Sequence, residues 1–145
     1  MKSSTERHGL AINWPSDTAL SRNQNGACPM TDKLIPLGTM TIFYVPSHKL
    51  DDSRFFQGSR TARSVIHDFL MNSFRAYTQT PTPVKGFWVD HEDTLHHDVM
   101  ERFEVSFDSE ADFDQIIEFL VEMCQTLNED SIYVTRGDGS FLVRG

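Results

Sequence analysis

The sequence predicts an α+β domain in which strands and helices alternate from about residue 39 to the end of the chain. The clearest support is the stretch Lys85–Asn128, which reads as two strands followed by an amphipathic helix with capping residues. A strand pattern followed by a helix pattern also occupies Thr39–Thr78. Near the C terminus, an Asp-Gly pair at 138–139 separates two short apolar runs, which is typical of a β-hairpin.

The first strand and helix are predicted from residue type and spacing. Thr39–Val45 is rich in β-branched and aromatic residues, which favour a strand, and Pro46 ends it because proline cannot donate to a strand ladder. Ser47–Gly58 is polar and is predicted to be a loop. Apolar residues at three- and four-residue intervals then predict a helix over about Ser59–Thr78.

Two further strands are predicted in the middle of the chain. The Pro-Thr-Pro run at 81–83 ends the first helix and returns the chain to a strand at Lys85–Asp90. Val99–Phe107 alternates apolar and polar residues, as in a half-buried strand. The polar segment His91–Asp98 joins them, which predicts a hairpin with a long exposed tip.

The second helix is the best-defined element. Ser109 is placed to accept a hydrogen bond from the first turn, and Asp112 occupies the position where a capping box prefers Glu or Gln. Asn128 ends the helix, because Asn tolerates the left-handed conformation. We predict that Cys124 is a small buried apolar residue. One apolar stripe follows helical spacing: Phe113, Ile116, Ile117, Leu120, Cys124 and Leu127.

The complete element order defines the predicted fold. Ser131–Thr135 and Ser140–Arg144 form the final hairpin, with a turn at Arg136–Gly139. The order βαββαβ plus a C-terminal strand predicts a ferredoxin-like split βαβ domain, with two helices on one face of an antiparallel sheet. The apolar residues 87–89 need cover, so we expect a homo-oligomer such as a homodimer.

The length of 145 residues fits one folded domain, predicted at 39–145, preceded by a mobile or loosely docked tail at 1–38. Met30 and Met40 are alternative starts that the sequence leaves open. No stretch has the roughly 20 apolar residues of a membrane span, and no secretory signal is visible. We therefore expect a cytoplasmic protein that does not contact a membrane.

The chain from Met40 onward resembles small uncharacterised bacterial ferredoxin-like α+β proteins. This resemblance depends on Gly86-Phe-Trp88, Asp90, the helix ending at Gln125–Asn128, and Ser131–Val134. The chain is more loosely similar to PII-like signalling proteins and dimeric α+β-barrel proteins. PII-like proteins bind nucleotides through a loop at the position of His91–Asp98, but here that loop is acidic and the chain has no glycine-rich phosphate loop.

Charge is strongly segregated along the chain. Residues 90–130 contain fourteen Asp and Glu but one Arg, whereas residues 1–89 have an excess of four basic residues. This pattern predicts a non-enzymatic regulatory or interaction module that binds a basic protein partner and repels nucleic acid. The plainer interpretation is an acidic, solvated outer surface. The candidate partner-binding residues are Asp90, Glu92, Asp93, Asp98, Glu110, Asp114, Glu118 and Glu122.

Two alternatives remain open from the sequence. The first is a small enzyme or ligand-binding protein of the dimeric α+β-barrel type, with its pocket between the sheet and the helices and with Tyr44, His48 and Trp88 as candidate pocket residues. Residue spacing identifies no catalytic set and no cofactor. The second is a metal- or pH-responsive loop, because His91, His96 and His97 lie among carboxylates.

Overall fold

Five strands and three helices make up the part of the protein that the computed structural model describes, residues 34–145. Expectations about residues 1–33, which form most of the predicted tail, lie outside this range. Residues Pro36–Gly145 form one compact unit. In chain order the elements are β1 (Thr39–Pro46), α1 (Ser47–Leu50), α2 (Ala62–Phe74), β2 (Thr78–Val89), β3 (Leu95–Phe107), α3 (Glu110–Leu127), β4 (Ile132–Arg136) and β5 (Gly139–Val143).

The strands form one antiparallel sheet in the order β2-β3-β1-β4-β5. The central strand β1 places Phe43 opposite Phe103 of β3 and Val134 of β4. The predicted α+β class with an antiparallel sheet is confirmed, and the sheet order is consistent with a ferredoxin-like arrangement.

The core is built from alternate strand residues and the apolar stripes of α2 and α3. Phe43 and Phe103 stack with ring centres 5.3 Å apart, and both are completely buried. Phe69 of α2 stacks on Phe119 of α3 at 3.9 Å. The two helices supply residues to the same core as these strand side chains, so within residues 34–145 the opposite face of the sheet carries no helix. Other core members are Val45, Ile66, Leu70, Val105, Ile116, Leu120 and Val134.

The helix predictions are confirmed for α3 and corrected for α2. In α3, Ser109 caps the first turn, Asn128 adopts the left-handed conformation that ends the helix, and Cys124 is buried. The helix α2 is shorter than the predicted 59–78. It begins after Thr61, whose hydroxyl and that of Ser64 form a reciprocal capping box, and it ends where Arg75 turns left-handed.

The central hairpin differs most from the prediction. β2 begins at Thr78 and contains both prolines, which it tolerates because it is an edge strand with a register shift between Thr80 and Val84. β3 begins at Leu95, so the predicted long tip at 91–98 is instead a tight turn. The predicted loop after β1 contains the single helical turn α1, held by buried Leu50.

The N-cap of α3 supports a stability prediction. The Ser109 hydroxyl accepts a hydrogen bond from the Asp112 backbone N–H at 3.1 Å. We expect Ser109→Ala to lower the free energy of unfolding by about 1 kcal/mol, because that N–H loses its partner. Urea denaturation would measure the change. Ser59→Ala, in an exposed loop, is the control and is expected to be neutral; equal stabilities of the two variants would contradict a capping role.

Within residues 34–145, no helix is both long enough and apolar enough to cross a membrane.

Candidate functional site

A groove of about 920 Å³ lies at the end of the sheet where β1 and β5 finish and β4 begins. Met100 of β3 is opposite both Pro46 of β1 and Val84 of β2, so these side chains share one face. Side chains along β3 alternate between the two faces of the sheet, so Met100 points away from the face on which Phe103 is buried. The groove therefore lies on the helix-free face. The strand registers thus bring side chains from all five strands to one surface.

The lining combines aromatic, apolar and charged groups. Its aromatic members are Tyr44, Phe87, Trp88 and Tyr133; its apolar members are Pro46, Val84, Gly86, Val89, Met100 and Leu142; its polar members are Asp98, Glu129, Asp130, Ser131 and Arg144. A concave, mostly apolar surface with a few convergent polar groups is typical of a small-molecule site, and the volume lies in the usual range.

One rim of the groove follows the C terminus of α3. Lys49 donates hydrogen bonds to the Leu127 and Asn128 carbonyls at 2.7 and 3.3 Å, and it also pairs with Glu129. A cation at this position complements the negative end of the helix dipole. Lys49 therefore fixes the segment that presents Glu129 and Asp130 to the groove.

The opposite wall is the end of the β2–β3 hairpin. Trp88 donates its indole N–H to Asp98 at 2.9 Å. Tyr44 of β1 and Tyr133 of β4 line the groove side by side, with ring centres 6.0 Å apart. Among residues 34–145, Asp130 and Arg144 form no ion pair, so their charges are available to a ligand.

The structure brings together two of the three residues predicted for a ligand pocket, but on the face of the sheet away from the helices and not between the sheet and the helices. Tyr44 and Trp88 line the groove, although they are 44 positions apart in the chain. His48 lies on α1, is exposed, and does not line the groove. The strand β1 ends at Pro46, so His48 no longer follows the alternation that aims Tyr44 at this face.

The residues predicted to bind a basic partner are distributed over two elements. Glu110, Asp114, Glu118 and Glu122 are exposed along α3, and Glu110 pairs with Arg136 at 2.7 Å. Asp90, Glu92, Asp93 and Asp98 lie in the hairpin, and only Asp98 lines the groove. Because α3 packs on the core face, Asp98 and the α3 carboxylates lie on opposite sides of the sheet.

The three histidines predicted as metal ligands do not converge. Within the part of the chain that the structure describes, no group of three His, Cys, Asp or Glu side chains could hold a metal ion. His96 pairs with Trp88 across the strands and His97 with Phe87, so the two imidazoles point to opposite faces. The exposed His91 has its Nε2 3.9 Å from Glu92.

The ion pair between Arg63 and the buried Glu101 was not predicted from the sequence. Glu101 is only 7% exposed and accepts two hydrogen bonds from Arg63 at 2.8 and 3.0 Å, and a third from Gln79 at 2.7 Å. Arg63 also binds Asp51. The alternation of Phe103, Val105 and Phe107 could have revealed this, because Glu101 shares their inward face and a buried carboxylate needs a partner.

No protein-family model and no curated protein matches the chain. Among solved structures, the chain is similar to a phage SAM lyase in complex with S-methyl-5'-thioadenosine, with a TM-score of 0.52 and 12% sequence identity. The match covers 77% of this chain and 93% of that chain. At this identity the likeness shows the fold alone.

This likeness corrects the predicted function. A fold that carries an enzyme with a bound small molecule contradicts the expected non-enzymatic interaction module, and it favours the alternative of a small enzyme or ligand-binding protein. The prediction of an interaction module was wrong because the distribution of charge along the sequence carries no information about whether the folded surface is concave. The groove exists only once β1, β4, β5 and the hairpin are in register.

Proposed function

We propose that the protein is an enzyme that binds S-adenosylmethionine (SAM) in the groove on the helix-free face and cleaves it to S-methyl-5'-thioadenosine. The observation that carries this proposal is the groove itself: aromatic rings, carboxylates and one arginine surround a volume of about 920 Å³. The fold likeness to a SAM lyase supports the choice of ligand.

The groove complements each part of such a ligand. The faces of Trp88, Tyr44 and Tyr133 suit an adenine ring, which stacks on aromatic side chains. An aromatic ring also attracts a sulfonium cation, as it does other onium groups. Asp98 and Asp130 suit the α-ammonium group of the amino acid portion, and Arg144 suits its carboxylate.

The expected reaction removes the four-carbon amino acid portion of SAM. The bond between sulfur and Cγ breaks, its electron pair stays on sulfur, and the sulfonium becomes a neutral thioether. As this bond breaks, either the carboxylate of the same amino acid portion attacks Cγ and closes a lactone, or a carboxylate of the groove such as Asp130 takes a proton from Cβ and leaves an unsaturated amino acid. Mass spectrometry of the second product distinguishes a lactone from an unsaturated amino acid.

The same proposal includes the detailed fold. The sheet order β2-β3-β1-β4 with α2 and α3 as the two crossovers is the split βαβ plan, and β5 extends it beyond β4. In this arrangement both helices cover one face, which leaves the other for the groove.

The first test is to incubate the protein with SAM and to measure the release of S-methyl-5'-thioadenosine by chromatography. The second is to measure the affinities for SAM and for S-methyl-5'-thioadenosine by titration calorimetry. We expect Trp88→Ala to weaken binding about tenfold, because it removes one stacking surface worth about 1–3 kcal/mol. Phe141→Ala is the matched control. Phe141 is 47% exposed, close to the 46% of Trp88, but it does not line the groove.

The outcomes separate the two parts of the proposal. Release of S-methyl-5'-thioadenosine by the unsubstituted protein supports the reaction. A lower rate of release in Trp88→Ala, with an unchanged rate in Phe141→Ala, supports the site. Binding without turnover would reject the enzyme and leave a ligand-binding protein. No binding of SAM or its thioether product would reject the proposed ligand class.

A further inference from the structure

The ring of Trp88 is held by two contacts within the hairpin. Its N–H donates to Asp98, and the imidazole of His96 stacks on it with ring centres 4.4 Å apart and an angle of 18° between the planes. Trp88 lines the groove, whereas His96 does not. His96 therefore covers one face of the indole and leaves the rest of the ring to the groove.

His96 is itself fixed by the turn that joins β2 to β3. Its Nε2 lies 2.7 Å from one carboxylate oxygen of Asp90. The other oxygen of Asp90 accepts the backbone N–H groups of Glu92 and Thr94 at 2.8 and 2.9 Å. One carboxylate thus closes the turn and orients the imidazole, so the position of Trp88 is tied to the turn.

Because Asp90 is ionised, the atom that carries the proton in the contact between Asp90 and His96 can be assigned. The hydrogen bond from His96, followed by that from the Thr94 N–H, lowers the pKa of the Asp90 carboxyl below its usual value. An ionised carboxylate can only accept, so Nε2 carries the proton. The charged groups around His96 are Asp90 in the turn and Asp98 on the same face of β3; His91 and Glu92 face each other at the tip.

We propose that Asp90 and His96 are positioning residues that hold Trp88 as the aromatic wall of the ligand groove. The ligand part of this inference depends on the proposed function. The Nε2–H of His96 donates to an ionised carboxylate, and such a charge-assisted hydrogen bond is stronger than a neutral one, so it holds the imidazole in place against the indole.

The first test needs no ligand and uses the full chain carrying Trp14→Phe, which leaves Trp88 as its only tryptophan. A fixed indole gives a strong near-ultraviolet circular dichroism band, whereas a mobile indole gives a weak one. We expect His96→Ala to lose most of this band and His96→Phe, which keeps a ring to stack on the indole, to retain it. Asp90→Asn keeps an acceptor for the turn but loses the charge that orients the imidazole, so it should weaken the band.

The second test measures the affinity for S-methyl-5'-thioadenosine by calorimetry. We expect His96→Ala to bind about fivefold to tenfold more weakly, because a stacked pair contributes about 0.5–1.5 kcal/mol to fixing the ring. His96→Phe should restore much of this affinity, because a phenyl ring can stack on the indole in place of the imidazole. His91→Ala is the matched control, since His91 belongs to the same hairpin but is 90% exposed and does not line the groove.

The two tests fail separately. An unchanged Trp88 band in His96→Ala, or equal affinities of His96→Ala and the unsubstituted chain, would overturn the positioning role while leaving the proposed function in place. If the unsubstituted chain binds neither SAM nor S-methyl-5'-thioadenosine, the proposed function fails, and the spectroscopic test alone decides whether His96 positions Trp88.

Discussion

Phe43→Ala is expected to lower the free energy of unfolding by about 4 kcal/mol. Phe43 lies on the central strand, is completely buried, and stacks on Phe103. Truncation removes a large apolar area from the core and leaves a cavity between three strands that cannot close independently. Because domains of this size are stable by about 5–15 kcal/mol, this loss is a large fraction of the total.

Urea denaturation followed by far-ultraviolet circular dichroism measures this change. Tyr44→Ala is the matched control, because Tyr44 is the next residue on β1 and faces the groove instead of the core. We expect Tyr44→Ala to lower the free energy of unfolding by about 1 kcal/mol, because the contact with Tyr133 is lost, and to weaken ligand binding. If Phe43→Ala does not fold, Phe43→Leu should still show a loss of about 1–2 kcal/mol. Equal losses for the alanine variants of residues 43 and 44 would contradict the assignment of faces.

Arg63→Met is expected to lower the free energy of unfolding by about 3 kcal/mol at neutral pH. The substitution leaves the buried carboxylate of Glu101 with Gln79 as its remaining hydrogen-bond donor. Removing one partner of a buried ion pair lowers the free energy of unfolding by about 3–5 kcal/mol. We expect the lower end of this range because the Arg63 side chain is one-third exposed. Arg60→Met is the control: its pair with Asp68 is long, at 3.4 Å, and exposed on both sides, so its loss should be almost neutral.

The same ion pair predicts how stability depends on pH. The hydrogen bonds from Arg63 lower the pKa of both Glu101 and Asp51 below their usual values. A carboxyl whose pKa is lower in the folded state stabilises the fold above its unfolded pKa, and this contribution is lost as the pH falls through the folded value. The difference between the unsubstituted protein and Arg63→Met should therefore be largest near neutral pH and shrink in acid. A difference that is constant from pH 7 to pH 3 would contradict this explanation.

Local patterns predicted the elements whose ends are set by nearby residues. Ser109 and Asn128 bound α3 because each satisfies backbone groups within a few positions of itself. The final hairpin was predicted from Asp138-Gly139, but the left-handed residue of the turn is Gly137, with a φ of 56°, and Gly139 already pairs with Arg136 as the first residue of β5. In contrast, the bounds of β2 and β3 were missed because the pairing of Val84–Val89 with Leu95–Met100 outweighs the polar character of the tip and the two prolines.

The amino-acid sequence by itself determined the order of strands and helices, the antiparallel class of the sheet and the apolar stripe of α3, because these depend on interactions between near neighbours. Only the tertiary structure decided that Tyr44, Trp88, Asp130 and Arg144 share a groove and that Glu101 meets Arg63. These residues are distant in the chain, and strand register, which is a property of the whole sheet, fixes which of them lie on one face. A function that depends on a concave surface therefore required the structure.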